Sequence, residues 1–378
     1  MASKKKSATR SKTRRLARPP VVFDTEKFEN VHQIGGIQTA LLESPAGSGQ
    51  FRRIAMFNTG SPLRFTVAVD RGGDIVDAFH GPHSLTYLTM AGLKAPSHAY
   101  HRDLDWLYGW AGGLVTSCGP QYAGPPREED GQQLGLHGRH SSQPAAIEML
   151  INPDPHRGRH EMLLTMTVRD TRMFGPNLEV RRTITCTLGI PQIRLFDEVT
   201  NRGNQQTAHT WLYHVNYGYP LLDQGTRLIY RGKLDTSWNL STPTPSAAQI
   251  DRIKRVSAPL DEHAGSGERG VIFEPAADRN GDAHIGLINQ RLGLGVEMVF
   301  PAEQLPRVAN WQHFGARGSF VTGIEPFSGS LMGKDRDSHP KAVQQLRPGQ
   351  TKRYQLTINV LDNAAALRSF ATRDGKVT

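Results

Sequence analysis

Residues 161–200 read EMLLTMTVRDTRMFGPNLEVRRTITCTLGIPQIRLFDEVT, and this stretch decides the fold class. Polar and apolar side chains alternate through Glu161–Arg169, Leu178–Leu188 and Gln192–Thr200, the period of two expected of half-buried strands. Turn chemistry separates the three runs: Phe-Gly-Pro-Asn at 174–177 and Gly-Ile-Pro at 189–191. The same alternation spreads outward in both directions. In Arg64–Asp70, Phe65, Val67 and Val69 fall on one face, and Arg227–Tyr230, Ala283–Ile288, Gly295–Phe300, Ser319–Ile324 and Tyr354–Leu361 also read as strands. Further turns stand at 201–204 (Asn-Arg-Gly-Asn) and 347–350 (Arg-Pro-Gly-Gln). In the run Ser319–Ile324, the Glu325-Pro326 step is expected to stop the strand. Helical candidates are few and short, Tyr100–Trp110 and Asp362–Phe370, and neither supports a doubly wound α/β sheet. The fold class is therefore all-β, a sandwich or barrel with few short helices.

The 378 residues include 24 prolines and 38 glycines, in keeping with many short elements joined by turns. No period of 20 to 50 residues repeats, and residues 123–133, 153–159 and 261–268 read as surface loops within one domain spanning 21–378. The formal charge of +10 suggests a nucleic-acid binder until it is located. Lys4, Lys5, Lys6, Arg10, Lys12, Arg14, Arg15 and Arg18 place +8 in residues 1–20, which hold no acidic residue, and the rest of the chain carries +2. A segment so basic and so poor in apolar residues is expected to be a disordered tail, so no specific nucleic-acid partner is predicted. No window approaches 18 consecutive apolar residues, and the N-terminus lacks the apolar stretch of a secretory signal. Arg14-Arg15 leads into Leu-Ala-Arg-Pro-Pro, which argues against twin-arginine export. The expected location is the cytoplasm, with no membrane span. Cys118 and Cys186 make no disulfide framework and no CxxC spacing, so both are expected to be buried thiols.

Three separated segments carry proton-transfer side chains. His137 lies in Gly135-Leu-His-Gly-Arg139-His140, where flanking glycines allow a ligand close to the backbone. His214 lies in Trp211-Leu-Tyr-His-Val-Asn216-Tyr-Gly, with Leu212, His214 and Asn216 on one strand face and Trp211, Tyr213 and Tyr217 on the other. Polar residues at successive positions of one face fit a polar cleft, where a histidine gives or takes a proton near neutral pH. Glu325 ends an apolar strand, a setting that raises a carboxyl pKa and suits it to act as a base. Each residue also has a plain structural reading: a bonded loop histidine, a solvated strand face, a solvent-facing strand end. No GxGxxG, P-loop or GxSxG is present, and His137 with His140 lacks a third ligand, so neither cofactor nor metal is predicted.

Taken in order, Asp70-Arg71-Gly-Gly-Asp74-Ile, Gly112-Gly-Leu-Val-Thr-Ser-Cys118-Gly, Gly135-Leu-His137-Gly-Arg139, the interval from Val199-Thr-Asn201 to His214-Val-Asn216-Tyr-Gly, and Asn310-Trp311-Gln312 through Gly323-Ile-Glu325-Pro resemble the galactose mutarotase superfamily, the aldose 1-epimerases, and in particular its divergent bacterial branch. The resemblance spans roughly residues 60–330. It implies a β-supersandwich whose concave face binds a sugar. It also implies a cofactor-free activity in which Glu325 is the base at the anomeric hydroxyl and His214 the acid at the ring oxygen. His137 would then hydrogen-bond the sugar, Arg71 lie near its hydroxyls, and Trp311 supply an apolar face for the pyranose, with Arg139 and Asn216 as further substrate contacts. The chain departs from the pattern twice: the asparagine-histidine pair of the family is here Tyr213-His214, and its sugar-orienting aspartate has only Asp223 as a counterpart. These departures leave room for a modified, oxidised or acidic sugar, with Arg71 or Arg139 as the anion partner. A sugar-binding or sensing protein without turnover, and an isomerase or lyase of a keto- or uronic sugar, are the alternative functions.

Overall fold

The computed structural model describes residues 23–43, 51–129, 131–240, 245–332 and 337–378. The basic tail lies outside them. The strands expected from residues 161–200 form at Glu161–Thr171, Asn177–Thr187 and Gln192–Asn201, paired antiparallel in that order. Arg182 faces Asp197 across the second pair.

Among the described residues the strands assemble into two large sheets. One has eight strands in the order Arg227–Ile229, Asp282–Asn289, Leu294–Pro301, Thr351–Leu361, Gln192–Asn201, Asn177–Thr187, Glu161–Thr171 and Ala145–Ile151. The other has eleven. Its central members are, in spatial order, Asp74–His80, Val115–Cys118, Leu212–Gly218, Ser319–Phe327, Arg307–Gly315, Arg269–Pro275 and Gly232–Trp238. The main hydrophobic core draws on both sheets: Met162, Leu164, Ile184, Ile193 and Val296 from the first, Val115, Tyr213, Val215, Tyr217, Ile324 and Val308 from the second. This is a two-sheet β-sandwich.

Strand alternation then dictates what the larger sheet shows on its outer face. A second apolar cluster lies there, containing Cys118, Leu212, Ile272, Ala309, Val321 and Phe327, with Trp106, Trp110 and Tyr87 packed on it. Because Tyr213, Val215 and Tyr217 are committed to the inter-sheet core, His214 and Asn216 point to this outer face, and Glu325 joins them because Ile324 points inward.

The proline at 326 does not stop its strand, which runs on from Ser319 to Phe327. Pairing with the strand Arg307–Gly315 is continuous through Ala309↔Glu325 and Val308↔Pro326. On the other side the ladder to Leu212–Gly218 skips residues 325 and 326 and resumes at Leu212↔Phe327. The proline, which has no N–H to give, sits in that gap.

The segment expected to be a helix at Tyr100–Trp110 is only a 3₁₀ turn at His98–His101 and a four-residue helix at Trp106–Gly109, with Asp103 in the left-handed region between them. The C-terminal helix forms at Ala364–Ala371, capped by Asn363. A helix at Ala247–Ile253 escaped the periodicity reading, although Ser246 and Gln249 form a capping box at its start. Cys118 and Cys186 are free and buried. No helix among the described residues is long and apolar enough to cross a membrane.

Candidate active site

His214 and Glu325 face each other on adjacent strands. The register Val215↔Ile324 and Leu212↔Phe327 sets them opposite one another, and His214 Nε2 lies 3.3 Å from Glu325 Oε1. Both residues are 4% exposed. The histidine tautomer follows from its other neighbour. Asn216 Nδ2 donates to the carbonyls of Gly113 (3.2 Å) and His214 (2.8 Å), so its Oδ1 is the acceptor that meets His214 Nδ1 at 2.6 Å. Nδ1 therefore carries a hydrogen, and in the neutral ring the lone pair of Nε2 is aimed at Glu325.

Burial shifts the two groups in opposite directions. Burial, and after it the negative charge of Glu268, pushes Glu325 up to about 8. Burial pulls His214 down to about 4 against the opposing effect of its bond to Asn216. At neutral pH the carboxyl is therefore protonated and the imidazole neutral, so the pair holds one proton.

Aromatic rings enclose this pair. Trp110 and Trp311 lie 5.4 and 5.7 Å from the His214 ring, His137 stands edge-on at 5.3 Å, and Trp106 is 6.4 Å away. Trp106 and Trp110 stack on each other at 5.1 Å. Their N–H groups are anchored to the scaffold, Trp106 to Ser141 Oγ and Trp110 to Thr116 Oγ1. Trp311 gives its N–H to Glu268 at 2.6 Å. Apolar ring faces beside a buried histidine and carboxyl suit a pyranose, whose C–H faces pack on aromatics while its hydroxyls meet polar atoms.

Gly323 makes the arrangement possible. Its neighbours across the sheet are Asn216 and Trp311, and a Cβ there would sit 2.3 Å from Glu325 Oε1. Two atoms of the site have no hydrogen-bond partner within the protein, Glu325 Oε1 and His137 Nδ1, although both are shielded from solvent. Buried polar atoms left in that state point to a ligand.

The residues singled out from the sequence fall into two groups. His137, His214, Glu325 and Trp311 come together, with His137 held at φ +57° and lowered well below the usual histidine range by burial and then by His214. Asn216 is beside them, but its amide is committed to His214 and Gly113 rather than turned out toward a substrate. The two arginines are employed elsewhere. Arg71 donates to the carbonyls of Ser141 (2.6 Å) and Lys94 (3.1 Å), and Arg139 pairs with Asp170 of the eight-stranded sheet at 3.2 Å. Asp223 pairs with Arg291 at the surface. His140, the suggested metal partner of His137, bonds the Gly72 carbonyl and packs edge-on against Trp211. No group of three or more His, Cys, Asp or Glu side chains converges as a metal site among the described residues.

Trp106, Trp110 and Glu268 were not read from the sequence as site residues. The Trp-x-x-x-Trp spacing in a chain with only five tryptophans was a usable signal for the first two. Glu268 gave none, since it ends a segment read as a surface loop. A polar cavity of about 290 Å³ lies past the ends of the same strands, bordered by Gln121, Asn177, His209 and Gln345. Both ring nitrogens of His209 are already bonded, to the Pro120 carbonyl and to Tyr354.

A family model described as "Domain of unknown function (DUF4432)" matches residues 49–360. No curated protein matches the sequence. Among solved structures, a "putative aldose 1-epimerase" from Klebsiella pneumoniae superposes with a TM-score of 0.78 at 20% identity, over 91% of this chain and 90% of that one. A galactose mutarotase-like protein from Clostridium acetobutylicum gives a TM-score of 0.56 at 11% identity, over 86% and 99%. Galactose 1-epimerase from Lactobacillus acidophilus gives 0.53 at 10%, also over 86% and 99%. At these identities the likeness is one of fold.

Proposed function

We propose that this chain, which belongs to the DUF4432 family, is a cofactor-independent sugar 1-epimerase, opening and closing an aldose ring by acid/base transfer between His214 and Glu325. The observation that carries this reading is the buried contact of His214 Nε2 with Glu325 Oε1, enclosed by Trp106, Trp110, Trp311 and His137. The ring oxygen and the anomeric hydroxyl share one carbon, so the acid and base that serve them must themselves be neighbours.

The proton count closes on the pair. In opening, the anomeric O–H loses its proton to one member, the C1–O5 bond breaks, C1=O1 forms, and the ring oxygen takes a proton from the other member. After rotation about C1–C2, closure on the opposite face runs the transfers in reverse. With the proton resting on Glu325, opening starts with His214 as base and Glu325 as acid, and the tautomeric pair works the other way round. The roles expected from the sequence, with Glu325 as base at the anomeric hydroxyl and His214 as acid at the ring oxygen, need the opposite protonation, an ionised Glu325 beside a protonated His214, which burial of both groups disfavours. Asn216 keeps Nε2 as the working nitrogen. Because Arg71 and Arg139 are engaged with carbonyls and with Asp170, neutral aldoses are the first substrates to test.

Magnetisation exchange between α and β anomers, followed by NMR over a panel of neutral aldoses, tests the proposal. Glu325→Gln and His214→Ala should each slow exchange by at least ~100-fold. Wild-type exchange rates in both variants would exclude this mechanism, and sugar binding without exchange in the wild type would favour a sensing protein.

A further inference from the structure

Glu268 touches neither His214 nor any described ionic partner of the pair, yet it organises one wall of the site. It stands two residues before Gly270 on the approach to the strand Arg269–Pro275. That strand pairs on one side with Gly232–Trp238 and on the other with Arg307–Gly315, and Gly270 is the residue opposite both Trp238 and Trp311. A side chain at 270 has no room: its Cβ would fall 2.2 Å from the ring of Trp238. The two indoles use the space and converge on one carboxylate, Trp238 donating to Oε1 at 3.1 Å and Trp311 to Oε2 at 2.6 Å. Both donors are neutral N–H groups, which hold the carboxylate without cancelling its charge.

We propose that Glu268 is a positioning residue of the site: its carboxylate, gripped by two indole N–H groups over Gly270, fixes Trp311 against His214 and brings a negative charge to the wall of the site that Glu325 shares with Trp311. The proposal rests on the reading of His214 and Glu325 as the proton-transfer pair. A fixed negative charge keeps the proton on the buried carboxyl, so Glu325 enters the reaction loaded and the pair holds its single proton to a higher pH. The other ionisable groups facing Glu325 are His214 on the adjacent strand and the buried thiol of Cys118 beyond it, with His137 acting through His214. Neither the thiol nor a neutral imidazole supplies a negative charge at neutral pH. Removing the Glu268 charge therefore lowers the Glu325 pKa and moves the alkaline limb of activity to lower pH.

The test uses the full chain. Glu268→Gln keeps an acceptor oxygen for one indole and removes the charge, and Glu268→Ala removes both. Two readouts need no turnover: the ¹³C-carboxyl titration of Glu325, assigned by its disappearance in Glu325→Gln, and the near-ultraviolet circular dichroism of the tryptophans. Glu268→Gln should lower the Glu325 midpoint by at least ~0.5 unit, and the alkaline limb of kcat should follow it. Glu268→Ala should also alter the tryptophan signal. If either variant fails to fold, Glu268→Asp, which keeps the charge on a shorter stem, should leave the Glu325 titration in place while changing the tryptophan signal. Titration and dichroism identical to wild type in the folded variants would overturn the proposal. Absence of anomer exchange in the wild type would sink the epimerase reading while both turnover-free readouts still decide the role of Glu268.

Discussion

A methyl group at position 323 would stand 2.3 Å from Glu325 Oε1 and 3.2 Å from His214 Cε1. The atom it meets first is the end of a flexible side chain, so Gly323→Ala moves the carboxylate rather than the backbone. The fold should survive with little change in Tm. Displacing a reacting group by about an ångström costs on the order of 100-fold in rate, so kcat should fall by ~10–100-fold, with a smaller effect on KM. A variant as active as wild type would show that the spacing of the pair does not matter. The protonation of Glu325 is itself measurable through stability. Its folded pKa of about 8 lies above its ordinary 4.5, so the folded state holds a proton that the unfolded state releases across that window. The contribution is fully present below pH 4.5 and lost as pH rises through 8. Glutamine cannot ionise, so the stability of Glu325→Gln relative to wild type should grow across this window, by on the order of 4 kcal/mol in urea unfolding. A difference that stays flat from pH 5 to pH 9 would refute the raised pKa.

At the level of elements, strands were legible because each buries a single face. In Leu212–Gly218 the inward Tyr213, Val215 and Tyr217 form the core, and the alternation leaves His214 and Asn216 no place but the outer face. Glu325 was read as the end of its strand because Pro326 follows it, but a proline breaks only the ladder that needs its N–H, and the opposite ladder continued. Less was legible where position depends on distant partners. Residues 100–110 read as one helix, but Asp103 in the left-handed region divides the segment, and the indoles of Trp106 and Trp110 are held by distant or non-helical partners, Ser141 and Thr116. Glu268 was hidden for the same reason, because Trp238 and Trp311 reach it from strands far away in sequence. Arg71 and Arg139, chosen for their charge, are drawn off by carbonyls and by Asp170, partners that no local pattern announces. The helix at Ala247–Ile253 was missed, although Ser246 followed three residues later by Gln249 is a local capping signal.

On the scale of the whole molecule, the site depends on a brace between the sheets. Arg182, fully buried on the eight-stranded sheet, binds Asp197 through Nε and Nη2 at 2.9 and 2.8 Å. The same guanidinium reaches across to the other sheet, to Ser117 Oγ at 2.6 Å, the Gly73 carbonyl at 3.2 Å and Asp74 at 3.3 Å. Tyr213, the neighbour of His214, donates its hydroxyl to Asp197. One cation thus ties together the strands that carry Asp74, Ser117 and His214. Burial pushes Asp74 up to about 6 even with Arg182 beside it, a measure of how strongly this interior penalises charge. Taking away the cation alone leaves two carboxyl groups buried without it, so Arg182→Met should cost ~3–5 kcal/mol in urea unfolding. Replacing the Asp197 partner as well, in Arg182→Met/Asp197→Leu, removes one stranded carboxylate and should recover part of that loss, because a buried pair exchanged for apolar side chains is often close to neutral. If the single variant loses less than ~1 kcal/mol, the brace contributes no more than a surface pair does, and the rigidity of the His214 strand must come from hydrophobic packing alone.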